Sequence, residues 1–230
     1  MGELDFKDIE AALAAEAAAH ARAAGELNPY LESEVIEQGR ARLVYAGTFS
    51  PAHGAYGLGL DGPVEERDWQ EIHRFFQRKE READIYTAPF TDPSVFEALD
   101  NRYRIGAVAK VNGMKLGAAP AEAFPEGISN PEHGAWALAF SRRENPARTE
   151  PDLVATTKMH QKETRFYLLE NGEGASYTFF HRGLAIVPFP HPRLLALQKR
   201  EAEEFKCLAL ICLNEPSLPL LYERAHHEPI

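Results

Sequence analysis

The chain has 230 residues, of which 44% are hydrophobic and 10% aromatic, so it can bury a sizeable core in one large domain or two small ones. Its formal net charge of −10 and its pI near 5.4 disfavour a phosphate backbone or an anionic membrane as a partner. The N-terminal segment lacks the charged-then-apolar layout of a signal peptide, and no apolar run approaches the roughly 18 residues of a membrane span. We therefore expect a cytoplasmic protein that binds neither nucleic acid nor a membrane. The two cysteines, Cys207 and Cys212, lie in an apolar run and are expected to be reduced and buried, which fits that location.

In the first half of the chain, the spacing of apolar residues predicts helices that alternate with short strands. An alanine-rich helix is predicted over 5–24, and an amphipathic helix after Gly62-Pro63, with Pro63 in its first turn. A third helix over 94–102 is capped by Thr91-Asp92-Pro93. Strands are predicted over 41–49, 55–60, 84–90 and 103–113.

The second half begins with a segment rich in proline and glycine, which predicts a connector over 116–150 with one strand at 135–140. Beyond it, apolar patterns predict helices over 151–162, 193–206 and 217–227, and strands over 164–172, 175–183, 184–189 and 207–214. Strands mixed with helices in both halves indicate the α/β or α+β class.

The run Gly57-Leu58-Gly59-Leu60-Asp61-Gly62 has the G-x-G-x-x-G spacing of a dinucleotide-binding turn. In such a turn the ribose-binding acid ends the next strand, whereas Asp84 starts one. Pro63 also removes a backbone amide that would face the phosphates. We interpret the run as a strand of small residues that ends in an Asp-Gly-Pro turn, and we reject a nucleotide-dependent oxidoreductase.

The first half contains, in this order, the segments "GAYGLGLDGPVEERDWQEIHRFF", "IYTAPFTDPSVFEAL" and "NRYRIGAV". The order and spacing of these segments over about 25–115 resemble those of a subgroup of the GNAT (N-acetyltransferase) superfamily. The segment Asn101-Arg102-Tyr103-Arg104 departs from the subgroup in lacking the glycine that precedes this tyrosine. The resemblance implies that this half is a degenerate copy of the acyltransferase fold, and that an acyl-CoA site lies in the second half.

The second half is similar to the family in "RFYLLENGEGASYTFF" and in "CLALICLNEPSLPLLYERAHH". The implied architecture is two GNAT-like halves, each a mixed, mostly antiparallel sheet flanked by helices. Their bounds are 1–115 for the degenerate half, 116–150 for the connector and 151–230 for the half with the acyl-CoA site. The resemblance places Tyr222 near the tyrosine that protonates the departing thiolate, a task suited to a phenol. The alternative is that Tyr222 packs into the core beside Leu218 and Leu221. His226-His227 replaces the family's Gly-Phe ending.

The family's cofactor loop is the point of largest departure. The family holds the CoA pyrophosphate on backbone amides of a glycine loop at a helix N-terminus. The corresponding junction here, Val187 to Leu194, has three prolines and no glycine. The resemblance implies an acetyl-CoA site at Val187, Phe189, His191, Arg193, Leu194, Leu195 and Asn214. The alternative is that pyrophosphate binding has been lost.

Two functions follow from the resemblance, and the sequence leaves both open. The first is an acyl-CoA-dependent N-acyltransferase, in which a small-molecule amine attacks acetyl-CoA between strands 184–189 and 207–214 and Tyr222 protonates the thiolate. The second is a catalytically inactive GNAT-like protein that acts as a ligand-binding or protein-interaction module. A homodimer is a candidate assembly. None of the nine histidines has a metal-ligand spacing, so no metal is expected.

Overall fold

A computed structural model describes residues 4–48, 50, 52–116, 128–129, 131–143 and 145–230. The chain forms two compact units. The N-terminal unit consists of Asp5–Lys110 together with Leu221–Ile230, and the central unit consists of Val111–Leu220. The division expected from the sequence groups the last ten residues with the second half, whereas the structure groups them with the first. Among the described residues, none of the helices combines the length and apolar character that a membrane span needs.

The strands of the N-terminal unit are β1 (Glu34–Gln38), β2 (Ala41–Tyr45), β3 (Gly54–Tyr56), β4 (Ile85–Thr87), β11 (Leu220–Pro229) and the first part of β5 (Tyr103–Lys115). They are arranged in the order β1-β2-β3-β4-β11-β5, in which β3 and β4 are parallel. The helices of this unit are α1 (Phe6–Leu27), α2 (Glu66–Gln77) and α3 (Pro93–Leu99), with a 3-10 turn at Pro29–Leu31.

The strands of the central unit, besides the end of β5, are β6 (Ile128–Ser129), β7 (Thr164–Leu169), β8 (Ala175–His181), β9 (Leu184–Val187) and β10 (Ala209–Leu213). They are arranged in the order β5-β10-β9-β8-β7-β6, in which only β9 and β10 of the described strands are parallel. The helices of this unit are α4 (His133–Ser141), α5 (Leu153–Met159) and α6 (Pro192–Glu204). The predicted α/β class, with mostly antiparallel sheets flanked by helices, is confirmed.

Each unit has its own apolar core. In the N-terminal unit the small side chains of α1 lie on β2 and β3, and α2 packs four aromatic and aliphatic residues at helical spacing. These α2 residues are Trp69, Ile72, Phe75 and Phe76. In the central unit Trp136 is fully buried, and its indole N–H donates to the Ser176 carbonyl at 2.8 Å. The cysteines Cys207 and Cys212 are free and buried, as predicted.

Several predicted elements were wrong in type or length. Residues 135–140 belong to helix α4, because alanine favours helix and Trp136 and Phe140 lie one turn apart on the buried face. The predicted helix over 217–227 is instead the strand β11; Pro219, which lacks an N–H, stands where that helix would need one. Strand β1 and the 3-10 turn at Pro29–Leu31 were not predicted.

The glycine run also differs from the prediction, since β3 ends at Tyr56. Gly57 and Gly59 have φ of +68° and +69°, a conformation that ends a strand and favours glycine. A Cβ on Gly57 would lie 2.6 Å from the Arg40 carbonyl oxygen, so no larger side chain fits there. Helix α2 begins only at Glu66, so Pro63 precedes the helix and does not lie in its first turn.

Candidate functional site

The parallel pair β9 and β10 is the part of the central unit where the sequence placed the cofactor. The two strands are paired from Leu184↔Ala209 to Val187↔Cys212. Helix α6 begins at Pro192 and β9 ends at Val187, so the predicted cofactor loop is the short segment of four residues, 188–191. A strand that leads directly into a helix N-terminus is the general arrangement that binds a phosphate group.

The predicted cofactor residues lie in different environments. Val187 and Leu194 are buried, and Leu194 packs in the core beside Tyr167 and Leu169. Leu195 is partly buried and packs against the apolar cluster that contains Val187. These three residues therefore serve the core of the unit.

The remaining predicted residues are accessible to varying degrees. Arg193 is exposed, in the first turn of α6. Asn214 is exposed and follows β10, with φ of +55°. The Phe189 ring lies 4.1 Å from the Arg143 guanidinium, and its carbonyl accepts a hydrogen bond from Ser176 Oγ at 2.8 Å. A side chain of β8, Ser176, thus holds the loop through the Phe189 carbonyl.

Few backbone amides of this loop can bind an anion. Pro188, Pro190 and Pro192 have no N–H. The amides of Leu194 and Leu195 donate to the His191 carbonyl at 2.8 and 3.1 Å. Within the described part of the chain, the first turn of α6 therefore offers an anion the Arg193 amide and the Arg193 side chain.

His191 lies at the N-cap of α6 and contributes no positive charge to the loop. Burial, together with the neighbouring Arg193, lowers the pKa of His191 below its usual value, which favours the neutral ring. The ring sits against Gly174, where a Cβ would lie 2.5 Å from His191 Nε2. His191 is therefore a packing residue of the loop as well as a predicted cofactor contact.

Tyr222 lies on β11 in the N-terminal unit, not on a helix. Its hydroxyl donates to Glu10 Oε1 at 2.9 Å, and its ring packs against Phe6 and Phe90. Burial, and then the Glu10 carboxylate, raise the pKa of the Tyr222 phenol well above its usual value. The hydroxyl is thus held by a fixed partner inside its own unit.

A buried charge network in the N-terminal unit was not found from the sequence. Glu10 is 2% exposed and Arg224 8%, and Glu10 Oε2 lies 3.1 Å from Arg224 Nε. The Arg224 guanidinium also lies 4.5 Å from the Tyr86 ring and 5.3 Å from the Tyr56 ring. One signal was available: Glu10 is four residues after Phe6 and three before Leu13, and so lies on the apolar face of α1.

Beside this network, two histidines flank one carboxylate. His53 Nε2 lies 3.1 Å from Asp84 Oδ2, and His226 Nε2 lies 3.4 Å from the same oxygen. The hydrogen bond to Asp84 raises the pKa of His53. Burial raises the pKa of Asp84, but the two histidines outweigh burial, and the pKa lies well below its usual value. Among the residues the structure describes, no group of three or more acidic, histidine or cysteine side chains is arranged to hold a metal ion.

The structure resembles solved acetyltransferases along most of its length. A GCN5-related N-acetyltransferase from Kribbella flavida aligns with a TM-score of 0.54 and 12% identity, covering 91% of this chain and 94% of that one. A GCN5-related N-acetyltransferase from Sphaerobacter thermophilus aligns with a TM-score of 0.48 and 14% identity, covering 95% and 91%. A putative GNAT acetyltransferase from Novosphingobium aromaticivorans aligns with a TM-score of 0.43 and 15% identity, covering 91% and 96%.

No protein-family model and no curated protein matches the sequence. The similarity is therefore one of fold, and it is carried by the Kribbella flavida structure, whose TM-score exceeds 0.5. This chain has the fold of the GCN5-related N-acetyltransferases, as the resemblance in its sequence implied.

Proposed function

We propose that this chain is a GNAT-fold protein that does not transfer acyl groups and that acts as a ligand-binding or protein-interaction module. One observation carries the proposal. Tyr222, the residue expected to protonate the thiolate, donates its hydroxyl to the Glu10 carboxylate and is buried in an aromatic cluster. The two free, buried cysteines fit a cytoplasmic location for such a module.

The environment of Tyr222 opposes the chemistry of a general acid. Acyl transfer from CoA to an amine forms an amide bond, breaks the thioester C–S bond and leaves a thiolate that needs a proton. If Tyr222 gave up that proton, a phenolate would stand 2.9 Å from the Glu10 carboxylate in a buried site. Two negative charges so close together in a poorly solvated place are strongly unfavourable, so the phenol keeps its proton.

The loop at the start of α6 supports the same conclusion. A pyrophosphate is held by several amides that converge at a helix N-terminus. Here three prolines remove donors, and two leucine amides already bond to the His191 carbonyl. The Arg193 side chain and amide are left to supply the attraction for a CoA phosphate.

A second candidate is an acyl-CoA-dependent N-acyltransferase that uses acetyl-CoA and a small-molecule amine. The observation that favours it is the direct passage from the parallel pair β9–β10 into α6, with the exposed Arg193 in the first turn. In this reading Phe189 and Asn214 line the acyl-CoA, the core residues Val187, Leu194 and Leu195 shape the loop, and His191 closes it.

Two measurements on the full chain separate the two candidates. One is calorimetric titration with acetyl-CoA and with CoA at millimolar ligand, and the other is an assay of thiol release from acetyl-CoA. The proposal expects no acetyl-CoA-dependent release of thiol with any of a panel of primary amines. Thiol release above the uncatalysed rate would overturn it. If CoA binds, Arg193→Ala should weaken binding, whereas Arg200→Ala on the same helix should not.

Tyr222→Phe serves as the second readout. If thiol is released, the acyltransferase candidate expects this variant to lower turnover with little change in affinity, because the phenol acts only in the protonation step. Unchanged turnover would remove Tyr222 as the acid. Under the proposed function the variant changes only stability.

A further inference from the structure

Strand β1 lies at one end of the strand order of the N-terminal unit. On one side it pairs with β2 through five consecutive pairs, from Glu34↔Tyr45 to Gln38↔Ala41, and none of the strands that the structure describes pairs with its other side. The strand contains no proline and no lysine, and its unbroken register with β2 excludes a bulge. Of the features that commonly keep an edge strand from pairing with another chain, β1 therefore has only its charged residues, Glu34 and Glu37.

The turn that follows β1 determines which backbone groups face the open side. It has two residues between Gln38 and Ala41, and the first of them, Gly39, has φ of +58°, as a type II′ turn requires. The closing pair of such a hairpin is hydrogen-bonded. Because the direction of the hydrogen bonds alternates along a strand, the even-numbered residues of β1 face β2 with their backbone groups. The backbone groups of Val35 and Glu37 therefore face outward.

A two-fold axis through Ile36 makes this open edge complementary to itself. When two β1 strands run antiparallel about such an axis, Ile36 faces Ile36 of the second copy, and Val35 faces Glu37 of the second copy. The outward backbone groups of Val35 and Glu37 then meet one another, and each residue donates and accepts as in a regular antiparallel ladder. This alignment uses every outward N–H and C=O of the strand.

The charges agree with this alignment on the face of β1 toward α2. Here Glu34 is placed opposite Gln38 of the second copy. The Glu34 carboxylate lies 3.4 Å from Arg78 Nη2 and 3.1 Å from Lys79 Nζ, so two cations accompany it. Gln38 brings one carboxylate, that of Glu71, to which its side-chain amide donates at 2.8 Å. The group around Glu34 is therefore cationic where it meets Glu71 of the other copy, and the two attract.

The face toward α1 also fits the alignment. Glu37 is placed opposite the uncharged Val35 of the second copy, so no carboxylate of β1 directly faces another. The two Glu37 side chains lie diagonally across the axis, and Arg22 and Arg42 accompany each of them. Val35 packs against the alanine-rich cluster of α1 but is only partly buried, and a second strand would cover more of its apolar surface.

We propose that the open edge of β1 is a homodimer interface, at which two copies of this chain pair β1 with β1 about Ile36 and extend the strands of one N-terminal unit into the other. One short strand from each copy contributes, so the dimer is weak and dissociates on dilution. The inference goes beyond the proposed function and is independent of it, because titration with CoA and thiol release do not involve β1.

Cysteines at facing positions test the alignment. In an antiparallel pair, residues that face each other without mutual hydrogen bonds have Cα atoms about 4.5 Å apart, which a disulfide can span. Glu34 and Gln38 of the second copy are such a pair. Full-length Glu34→Cys mixed with full-length Gln38→Cys and oxidised at high concentration is expected to give a covalent heterodimer.

Each cysteine variant by itself is the matched control. Two copies of Glu34→Cys, or two copies of Gln38→Cys, hold their new thiols four residues apart along the paired strands, so we expect no covalent dimer from either. The wild type, whose Cys207 and Cys212 are buried, should also give none. Absence of the heterodimer, or an equal yield from one variant alone, would overturn the proposal.

A second test removes one outward N–H. Glu37→Pro lacks this donor, and proline is tolerated on the open side of an edge strand. Glu37→Ala loses the same side chain and keeps the N–H. By light scattering, the mass of the wild type and of Glu37→Ala should rise with concentration from 25.7 kDa toward twice that value. Glu37→Pro should raise the Kd of the dimer about tenfold or more relative to Glu37→Ala.

The remaining outcomes of this second test also decide the question. Equal dimerisation of Glu37→Pro and Glu37→Ala, or a wild type that stays at 25.7 kDa at every concentration, would overturn the proposal. If Glu37→Pro does not fold, the cysteine mixture decides, because Glu34 and Gln38 lie outside the buried core and their replacement leaves the backbone donors of β1 in place.

Discussion

Replacing Glu10 by glutamine removes one charge from the buried pair with Arg224 and leaves the shape of the side chain almost unchanged. Arginine cannot lose its proton in a protein, so the Arg224 guanidinium would remain charged at its buried position. Breaking a buried ion pair by removing one partner costs about 3–5 kcal/mol. Glutamine can still accept the Tyr222 hydroxyl, so we expect a loss at the lower end, about 3 kcal/mol.

Hydrogen exchange measured by segment is the suitable assay, because the chain has two compact units and one global unfolding free energy would mix them. A loss of about 3 kcal/mol corresponds to a loss of protection of about a hundredfold, since each 1.4 kcal/mol is a factor of about ten. The loss should be seen in Phe6–Leu27 and in Leu221–Ile230. Exchange in Ala175–His181 of the central unit should be unchanged.

The matched control is Glu26→Gln, the same substitution at an exposed position of α1. We expect it to change stability by less than about 0.5 kcal/mol. A further check is the pair Glu10→Leu with Arg224→Met, which removes both charges and should cost less than Glu10→Gln alone. Equal effects of Glu10→Gln and Glu26→Gln would show that the buried ion pair contributes nothing to stability.

Three other predictions concern pH, glycine conformation and thiol reactivity. The pKa of His53 is raised above its usual 6.5, so the contribution of His53 to stability is complete below pH 6.5 and is lost as the pH rises through the pKa of the folded state. The pKa of Asp84 is lowered from 3.8, so the contribution of Asp84 to stability is present above pH 3.8 and is lost on further acidification. Melting temperature should therefore fall from pH 6 to pH 9, less so in His53→Gln, and an equal fall in that variant would contradict the assignment. Gly59→Ala should destabilise the chain by about 1–3 kcal/mol, because φ is +69° and the new Cβ would lie 2.9 Å from the Asp92 amide nitrogen. Gly134→Ala lies in helix α4 with open space around the new Cβ, so it should stabilise the chain by about 0.5–1 kcal/mol. Urea titrations measure both changes. Burial, and then Glu215, raise the pKa of Cys212 to about 12, so a disulfide reagent should label this thiol only after unfolding, and labelling of the native chain would show that the site opens.

Local sequence pattern was sufficient to predict the helices and strands whose characteristic residues lie within one segment. Helix α2 follows from Trp69, Ile72 and Phe76 at helical spacing, and α3 from its Asp92 cap and the proline after it. The resemblance to GNAT proteins likewise rested on short motifs in sequence order, and the fold agrees with it. The two helices and each of the motifs are set by residues that lie close together in the sequence, so neighbouring side chains carry the information.

The position of Tyr222 could not be obtained in this way. Its segment was predicted as a helix from apolar spacing, but it is a strand because β4 and β5, far away in sequence, leave a gap that it fills. Non-local pairing of this kind overrides local preference, since burial between two strands outweighs a propensity difference of a few tenths of a kcal/mol per residue.

Local sequence patterns were enough to predict the class of the fold, the mixed helices and strands of both halves, and the proline-rich loop where the family has glycines. Only the tertiary structure shows that the last ten residues belong to the N-terminal unit and which side chains they contact there. Glu10 and Arg224 are 214 positions apart in the sequence, and they form an ion pair only because α1 and β11 bring them together in a buried place. Burial raises the importance of such a pair, because a charge shielded from solvent must find its partner inside the protein.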